Sequence, residues 1–127
     1  MNLDVFVVCD RIENANGKVS LFGIYESILT TSIPSVHPTL SLFARLRLSR
    51  NDGQQHFYSF KIFYPNGKLM MDTNEVPSVN LSSIDEETYI TGIPMTLDNV
   101  KFPVQGRYSL CFFVDNNKFG EIPLFIR

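Results

Sequence analysis

The side chains best suited to act as nucleophile or general base are two histidines, His37 and His56, and two cysteines, Cys9 and Cys111. A cysteine and a histidine can form a catalytic dyad when the imidazole takes the thiol proton, but such pairs meet only in the folded chain. Neither histidine has a His, Cys or carboxylate at metal-ligand spacing, and two scattered cysteines do not make a zinc site. The sequence therefore predicts no catalytic residue and no metal ligand, and an enzyme with a spatially assembled site stays the least favoured of three classes.

Carboxylates offer a second kind of chemistry. Asp52, Asp72, Asp115 and the run Asp85-Glu86-Glu87 fall in predicted loops, and calcium-binding β-sandwiches gather such loop carboxylates at one end. Turns also favour Asp for conformational reasons, and Asp52 and Asp115 stand in turn sequences. A calcium-binding or small-ligand-binding sandwich is therefore an alternative. The glycines form neither a dinucleotide fingerprint nor a Walker loop, so no cofactor is predicted.

Composition limits the choice of partners and compartment. The chain has 127 residues and a net charge of −2, which suits one domain over residues 1–127 and lacks the basic character of nucleic-acid-binding domains. Its densest basic cluster, Arg45, Arg47 and Arg50, alternates with leucines and is typical of the solvent side of a strand. No apolar run is long enough for a membrane helix, and Asp4 interrupts the expected basic start of a signal peptide. We therefore expect a cytoplasmic protein without nucleic-acid or membrane partners.

Hydrophobic residues recur with a period of two, which is the period of a strand with one buried face. Leu40, Leu42, Ala44, Leu46 and Leu48 share one predicted face; in the segment after them, Tyr58, Phe60, Ile62 and Tyr64 share another. Four turn signals separate such runs: Asn16-Gly17, Asp52-Gly53, Asn66-Gly67 and Asp115-Asn116-Asn117. The pattern predicts an all-β fold, a single antiparallel β-sandwich of about eight or nine strands arranged as a meander, immunoglobulin-like or C2-like, with little or no helix.

The stretch "GRYSLCFFVDNN" raises the question of an immunoglobulin disulfide. In that fold the corner tyrosine lies two residues before the cysteine and on the same face. Tyr108 and Cys111 are three apart, so they face opposite sides of the strand, although Tyr108 can still form a tyrosine-corner contact. We expect Cys9 and Cys111 to be reduced and to behave as small buried hydrophobes.

Two segments carry a family resemblance. "NGKVSLFGIYESI", the later Pro34 and His37-Pro38, and the ending "FPVQGRYSLCFFVDNNKFGEIPLFI" resemble a family of small uncharacterised bacterial β-sandwich proteins. The shared positions are glycines, prolines and aromatic residues with structural roles. The resemblance implies a fold, and it brings no activity, substrate or site residue with it.

The predicted solvent faces contain more aromatic residues than solvation alone would explain. By alternation, five phenylalanines and two arginines point away from the core: Phe43, Phe57, Phe63, Phe113, Phe125, Arg45 and Arg107. Aromatic residues and arginine are enriched in protein-protein contacts. We therefore expect a non-catalytic interaction or assembly module that binds a protein partner or forms a homo-oligomer. The alternative is that the segments 28–38 and 73–87 fold over this surface and make it a second layer of core.

Overall fold

The computed structural model describes residues 1–53 and 55–127 and consists almost entirely of β-strands. The described part of the chain contains no helix that is long and apolar enough to cross a membrane. One 3-10 turn spans Arg50–Asp52. In chain order the strands are β1 (Asn2–Ala15), β2 (Lys18–Ile24), β3 (Ser27–Ile28), β4 (Ser35–Ser49), β5 (Tyr58–Phe63), β6 (Leu69–Asp72), β7 (Val79–Ser83), β8 (Thr88–Phe102), β9 (Gly106–Val114) and β10 (Asn117–Ile126).

The strands form two five-stranded sheets. Sheet 1 has the order β2-β1-β4-β8-β7, and sheet 2 has the order β3-β10-β9-β5-β6. Neighbouring strands are antiparallel except for the two-residue β3, which runs parallel to β10. The predicted all-β sandwich is confirmed, and the described residues form ten strands where eight or nine were expected.

The core lies between the sheets and follows the predicted alternation. The even-numbered residues of β4 from Leu40 to Leu48 are buried on the inner side of sheet 1. On sheet 2, the inner residues of β9 are equally buried, and Phe60 and Phe112 pack with ring centroids 5.2 Å apart. Each fully buried leucine or phenylalanine contributes about 1.5–3 kcal/mol relative to an exposed one. This inner alternation determines which side chains are left on the outer faces.

Three of the four predicted hairpin turns are confirmed. Asn16-Gly17 joins β1 to β2, Asn66-Gly67 lies in the turn from β5 to β6, and Asp115-Asn116 joins β9 to β10. In the first and third, both central residues have positive φ, for example 54° at Asn16 and 74° at Gly17. That conformation matches the right-handed twist of the paired strands.

The predicted hairpin at Asp52-Gly53 is wrong, and so is the simple meander. β4 belongs to sheet 1 and β5 to sheet 2, so this segment carries the chain from one sheet to the other. Asp52 instead accepts a hydrogen bond from the Ser49 amide, N to Oδ2 2.8 Å, and ends β4 in the 3-10 turn. Asp52-Gly53 satisfies the sequence rule for a tight turn. However, β4 already has a neighbouring strand on each side, β1 and β8, so the next strand does not pair with it.

Sheet 1 curls so that one end of its β2 edge approaches β7 on the side away from the core. The turn between β1 and β2 reaches β7, where a methyl group built on Gly17 would lie 3.2 Å from the Leu81 carbonyl oxygen. Gly92 in β8 allows the same closure, because a Cβ there would lie 3.1 Å from Leu81 Cδ1 and 3.2 Å from Phe43 Cε1. The outer side of sheet 1 is therefore concave and partly closed.

Candidate functional site

The seven predicted interface residues divide between the two sheets. Phe63, Phe113, Phe125 and Arg107 lie on the outer side of sheet 2, and Phe57 immediately precedes β5 at the margin of the same surface. Phe43 and Arg45 lie in β4, on the outer side of sheet 1. The two outer sides of a sandwich face opposite directions, so the seven residues do not form one patch. We call the sheet 2 group (Phe57, Phe63, Phe113, Phe125 and Arg107) the aromatic face.

Strand register determines the geometry of the aromatic face. On β9, Phe113 pairs with Ser59 of β5 and with Lys118 of β10, while Arg107 pairs with Phe125. Phe63 pairs with Ser109 of β9. The phenylalanines alternate with buried core residues along the strands and are themselves only half-buried or, for Phe57, 38% exposed.

Cations lie over two of these rings. Lys61 Nζ is 4.4 Å from the centroid of the Phe113 ring, and Arg127 Cζ is 4.9 Å from that of Phe125. A cation over an aromatic face contributes about 0.5–1 kcal/mol at an exposed site. The long side chains also cover part of each ring, which explains why these outward phenylalanines are half-buried.

The charges on this side of sheet 2 are unevenly paired. Lys118 Nζ lies 2.8 Å from Glu121 Oε1, and Lys61 Nζ lies 4.0 Å from Asp72 Oδ2. Arg107 and Arg127 are exposed, and neither forms a salt bridge with any residue in 1–53 or 55–127. Two guanidinium groups therefore lie at the end of the aromatic face around Phe125, and Arg107 adds to the lowering of the pKa of Glu121 in β10, which is caused first by the hydrogen bonds from Lys118 and Cys111.

Phe43 is buried, with 3% of its surface exposed, although it points away from the core as predicted. It lines a groove of about 440 Å³ together with Val5, Arg45 and residues of β2 and β7. Leu81 of segment 73–87 lines the same groove, and a Cβ built on Gly92 would lie within 3.2 Å of both Leu81 and Phe43, so part of that segment lies over this side of sheet 1 near Phe43. Segment 28–38 contributes nothing to this lining; the turn between β1 and β2 takes the place expected for it.

The two histidines make separate contacts and do not meet a cysteine. His56 Nδ1 lies 2.7 Å from Asp115 Oδ2, and His37 Nε2 lies 3.3 Å from the Tyr25 hydroxyl. Cys9 Sγ donates to the Arg11 carbonyl at 3.7 Å, and Cys111 Sγ donates to Glu121 Oε1 at 3.5 Å. These contacts leave each candidate nucleophile with a partner other than a histidine.

The cysteines lie in different sheets, and both are free and buried. Burial, followed by the hydrogen bond to Glu121, raises the pKa of the Cys111 thiol to about 11. Burial also raises the pKa of Cys9. Both groups are therefore protonated at neutral pH, which is the unreactive form of a thiol.

The loop carboxylates are dispersed. Asp52 caps the 3-10 turn, Asp115 binds His56 and the Phe57 amide, and Asp72 accepts from the Asn74 amide at 2.8 Å. Within the described residues, no three His, Cys, Asp or Glu side chains are grouped as metal ligands. These carboxylates stabilise turns, as their sequence positions allow.

A second cavity, of about 470 Å³, is lined mainly by residues of β7 and β8 and by Tyr58 of β5. Tyr58 and Tyr89 contribute hydroxyls whose pKa values are raised by burial, that of Tyr58 to about 12. Arg50 and Asp85 both line it. Glu86 also lines the cavity, so its lining carries two carboxylates and one guanidinium.

Sequence reasoning missed the groove around Phe43. Lys18 and Leu81 line it, but they are far from β4 in the chain and stand in unremarkable sequence contexts. Gly92 opposite Arg45 was the available signal, because a glycine inside a strand often marks a close approach of another group.

Comparison with known proteins places the chain in a family. No curated protein gives a significant match. A family model covers residues 4–127, including both segments that carry the sequence resemblance, and so confirms that the chain resembles an uncharacterised family. The chain belongs to the family of unknown function DUF6941.

Proposed function

We propose that this chain is a non-catalytic interaction module that binds a protein partner through the aromatic face of sheet 2. The observation that carries the proposal is the grouping of Phe57, Phe63, Phe113 and Phe125 with Arg107 on the outer side of one sheet. Contiguous apolar patches beyond a few hundred Å² mark interaction sites, and arginine and aromatic residues are enriched in them.

The charge of the face indicates the chemistry of the partner. Lys61 and Lys118 already have carboxylate partners, whereas Arg107 and Arg127 have none among residues 1–53 and 55–127. Both arginines flank Phe125. A partner segment with apolar side chains and neighbouring Asp or Glu residues would bury the ring and pair with the two guanidinium groups.

The two free thiols support a reducing compartment, and we include a cytoplasmic location in the proposal. A bacterial origin is likewise part of it, on the strength of the sequence resemblance.

A peptide library displayed on phage provides the probe for this proposal. Peptides retained by the wild-type protein, after removal of those that bind a Phe125→Glu variant, are sequenced, synthesised and titrated. The expected peptides combine aromatic or aliphatic residues with Asp or Glu, and Arg107→Glu weakens their binding about tenfold or more. Peptides without acidic residues, or equal binding to the variants, would contradict the proposal.

Phe22→Glu is the matched control. Phe22 is an exposed phenylalanine of β2 in sheet 1, and Arg11 lies over its ring at 4.3 Å, so its local environment matches that of Phe125. The control should bind the selected peptides as the wild type does. Sedimentation equilibrium of the wild type tests whether a second copy of the chain occupies the aromatic face. A dimer that the Phe125→Glu substitution dissociates would show that it does, and the proposal of an acidic partner would be wrong.

A further inference from the structure

The groove on the outer side of sheet 1 has an unusual combination of lining residues. Its volume is about 440 Å³, within the range of small-molecule sites. The apolar part of the lining comes from three regions of the sheet: Val5 and Phe43 in β1 and β4, Val19 and Leu21 in β2, and Leu81 in β7. The polar part consists of Lys18, Arg45 and Ser82, and no carboxylate of residues 1–53 or 55–127 lines the groove.

Arg45 is the central observation. Its Nε is buried and has no hydrogen-bond partner, and no residue of 1–53 or 55–127 forms a salt bridge with its guanidinium. Arg47, two residues along the same strand, has Nη2 3.3 Å from Asp4 Oδ1 and is half-exposed. A buried donor without an acceptor is unfavourable, and more so when the group is charged.

Lys18 adds a second positive charge at the entrance. It is exposed at the start of β2, directly after the turn that closes over the groove, and it forms no salt bridge within the described residues. Two cations and no lining anion give the groove a positive potential, and its partly closed apolar walls lower the local dielectric and strengthen attraction for an anion. The Ser82 hydroxyl supplies one further donor.

We propose that this groove binds a small amphipathic anion. Its carboxylate or phosphate group would lie against Arg45 and Lys18, and its apolar part would lie against Phe43 and Leu81. Guanidinium is suited to this role because its planar array of N–H donors matches two oxygens at once. This site is on the opposite side of the sandwich from the aromatic face, so it is independent of the proposed protein interaction.

The size of the groove favours a small molecule over a macromolecule as its ligand. A concave groove of this volume has room for a small molecule. An acidic protein segment would need the open surface that sheet 2 offers, whereas the turn between β1 and β2 closes over sheet 1 at Leu81.

Calorimetric titration with octanoate tests the proposal. Acetate supplies the headgroup alone, octanol the apolar part alone, and octyl phosphate the alternative headgroup. Octanoate or octyl phosphate should bind at least about tenfold more tightly than acetate or octanol, and the tighter of the two identifies the preferred headgroup. Amide shifts in NMR spectra should be largest near Phe43 and Leu81. Failure of both amphipathic anions to bind, or shifts confined to sheet 2, would overturn the proposal.

Substitutions identify the group that recognises the anion. Arg45→Met keeps the length of the side chain and should lower the affinity about tenfold, which corresponds to about 1.4 kcal/mol. Arg45→Lys retains the charge without the planar array and should lose less. Arg47→Met removes a neighbouring arginine that does not line the groove and should bind as the wild type does. If Arg45→Met and Arg45→Lys are both folded and bind the anion as tightly as the wild type, Arg45 plays no part in binding.

Discussion

His56 Nδ1 lies 2.7 Å from Asp115 Oδ2, a contact that ties the segment before β5 to the turn between β9 and β10. The other ring nitrogen, Nε2, lies 3.1 Å from the Gly53 carbonyl oxygen. Both ring nitrogens therefore face acceptors, and the imidazolium, which donates from both, is the favoured form. The hydrogen bond to Asp115 raises the pKa of His56 above its ordinary 6.5, and the same contact lowers the pKa of Asp115.

Stability should therefore fall as pH rises through the range where His56 loses its proton. A group whose pKa is raised by folding contributes stability that is fully present below the pKa of the unfolded state. This contribution is lost as the pH rises through the pKa of the folded state. Urea unfolding between about pH 6 and about pH 9 should show this decline in the wild type and a flatter profile in His56→Gln. Identical profiles for the two proteins would contradict the assignment. Asp115 acts with the opposite sign, because its lowered pKa contributes stability that is lost only as pH falls into the acid range.

The Tyr108 hydroxyl should contribute measurably to stability. Tyr108 is fully buried, and its hydroxyl donates to the Val104 carbonyl at 2.7 Å, which is the corner contact that the sequence left open. Tyr108→Phe should lower the free energy of unfolding by about 1–2 kcal/mol, because it leaves the carbonyl unpaired. Tyr64→Phe is the control, since the Tyr64 ring packs against Tyr108 and its hydroxyl makes no hydrogen bond within the described residues. Equal losses in the two variants would show that the corner contact adds nothing.

Phe43 should behave as a core residue and Phe125 as a surface residue. Phe43→Ala should destabilise the protein by about 3 kcal/mol, because it removes a ring that is only 3% exposed and enlarges the groove that the ring lines. Phe125→Ala should cost about 1 kcal/mol or less, as is usual for a partly exposed side chain. Chemical denaturation of both variants measures the difference. A loss for Phe125→Ala as large as that for Phe43→Ala would mean that the aromatic face is structural.

Both thiols should be reduced and slow to react in the folded protein. Cys111 is 2% exposed and its pKa is about 11, so little thiolate forms near neutral pH. Alkylation followed by intact mass spectrometry should show little modification before denaturation and two additions after it. A mass about two daltons below that of the reduced protein, as expected for one disulfide, would contradict this prediction.

Local pattern was enough to predict most of the architecture. The period-two alternation of β4 and β9 placed the even-numbered residues from Leu40 to Leu48 and from Tyr108 to Val114 on inner faces, because successive strand side chains must point to opposite sides. Asn16-Gly17 and Asp115-Asn116 predicted their turns, because few residues tolerate positive φ. These features depend on neighbours in the chain, so a sequence displays them directly.

What the sequence could not decide was which outer face each residue would occupy and what would cover it. Alternation shows that Phe43 and Phe113 both point away from the core, yet it cannot assign them to different sheets. The Asp52-Gly53 signal is the same whether the next strand pairs with β4 or crosses to the other sheet. The close approach of Gly17 to Leu81 and the hydrogen bond of His56 with Asp115 bring together residues 64 and 59 positions apart in the numbering. Such contacts depend on the curl of sheet 1 and the packing of the two sheets, which only the tertiary structure decides.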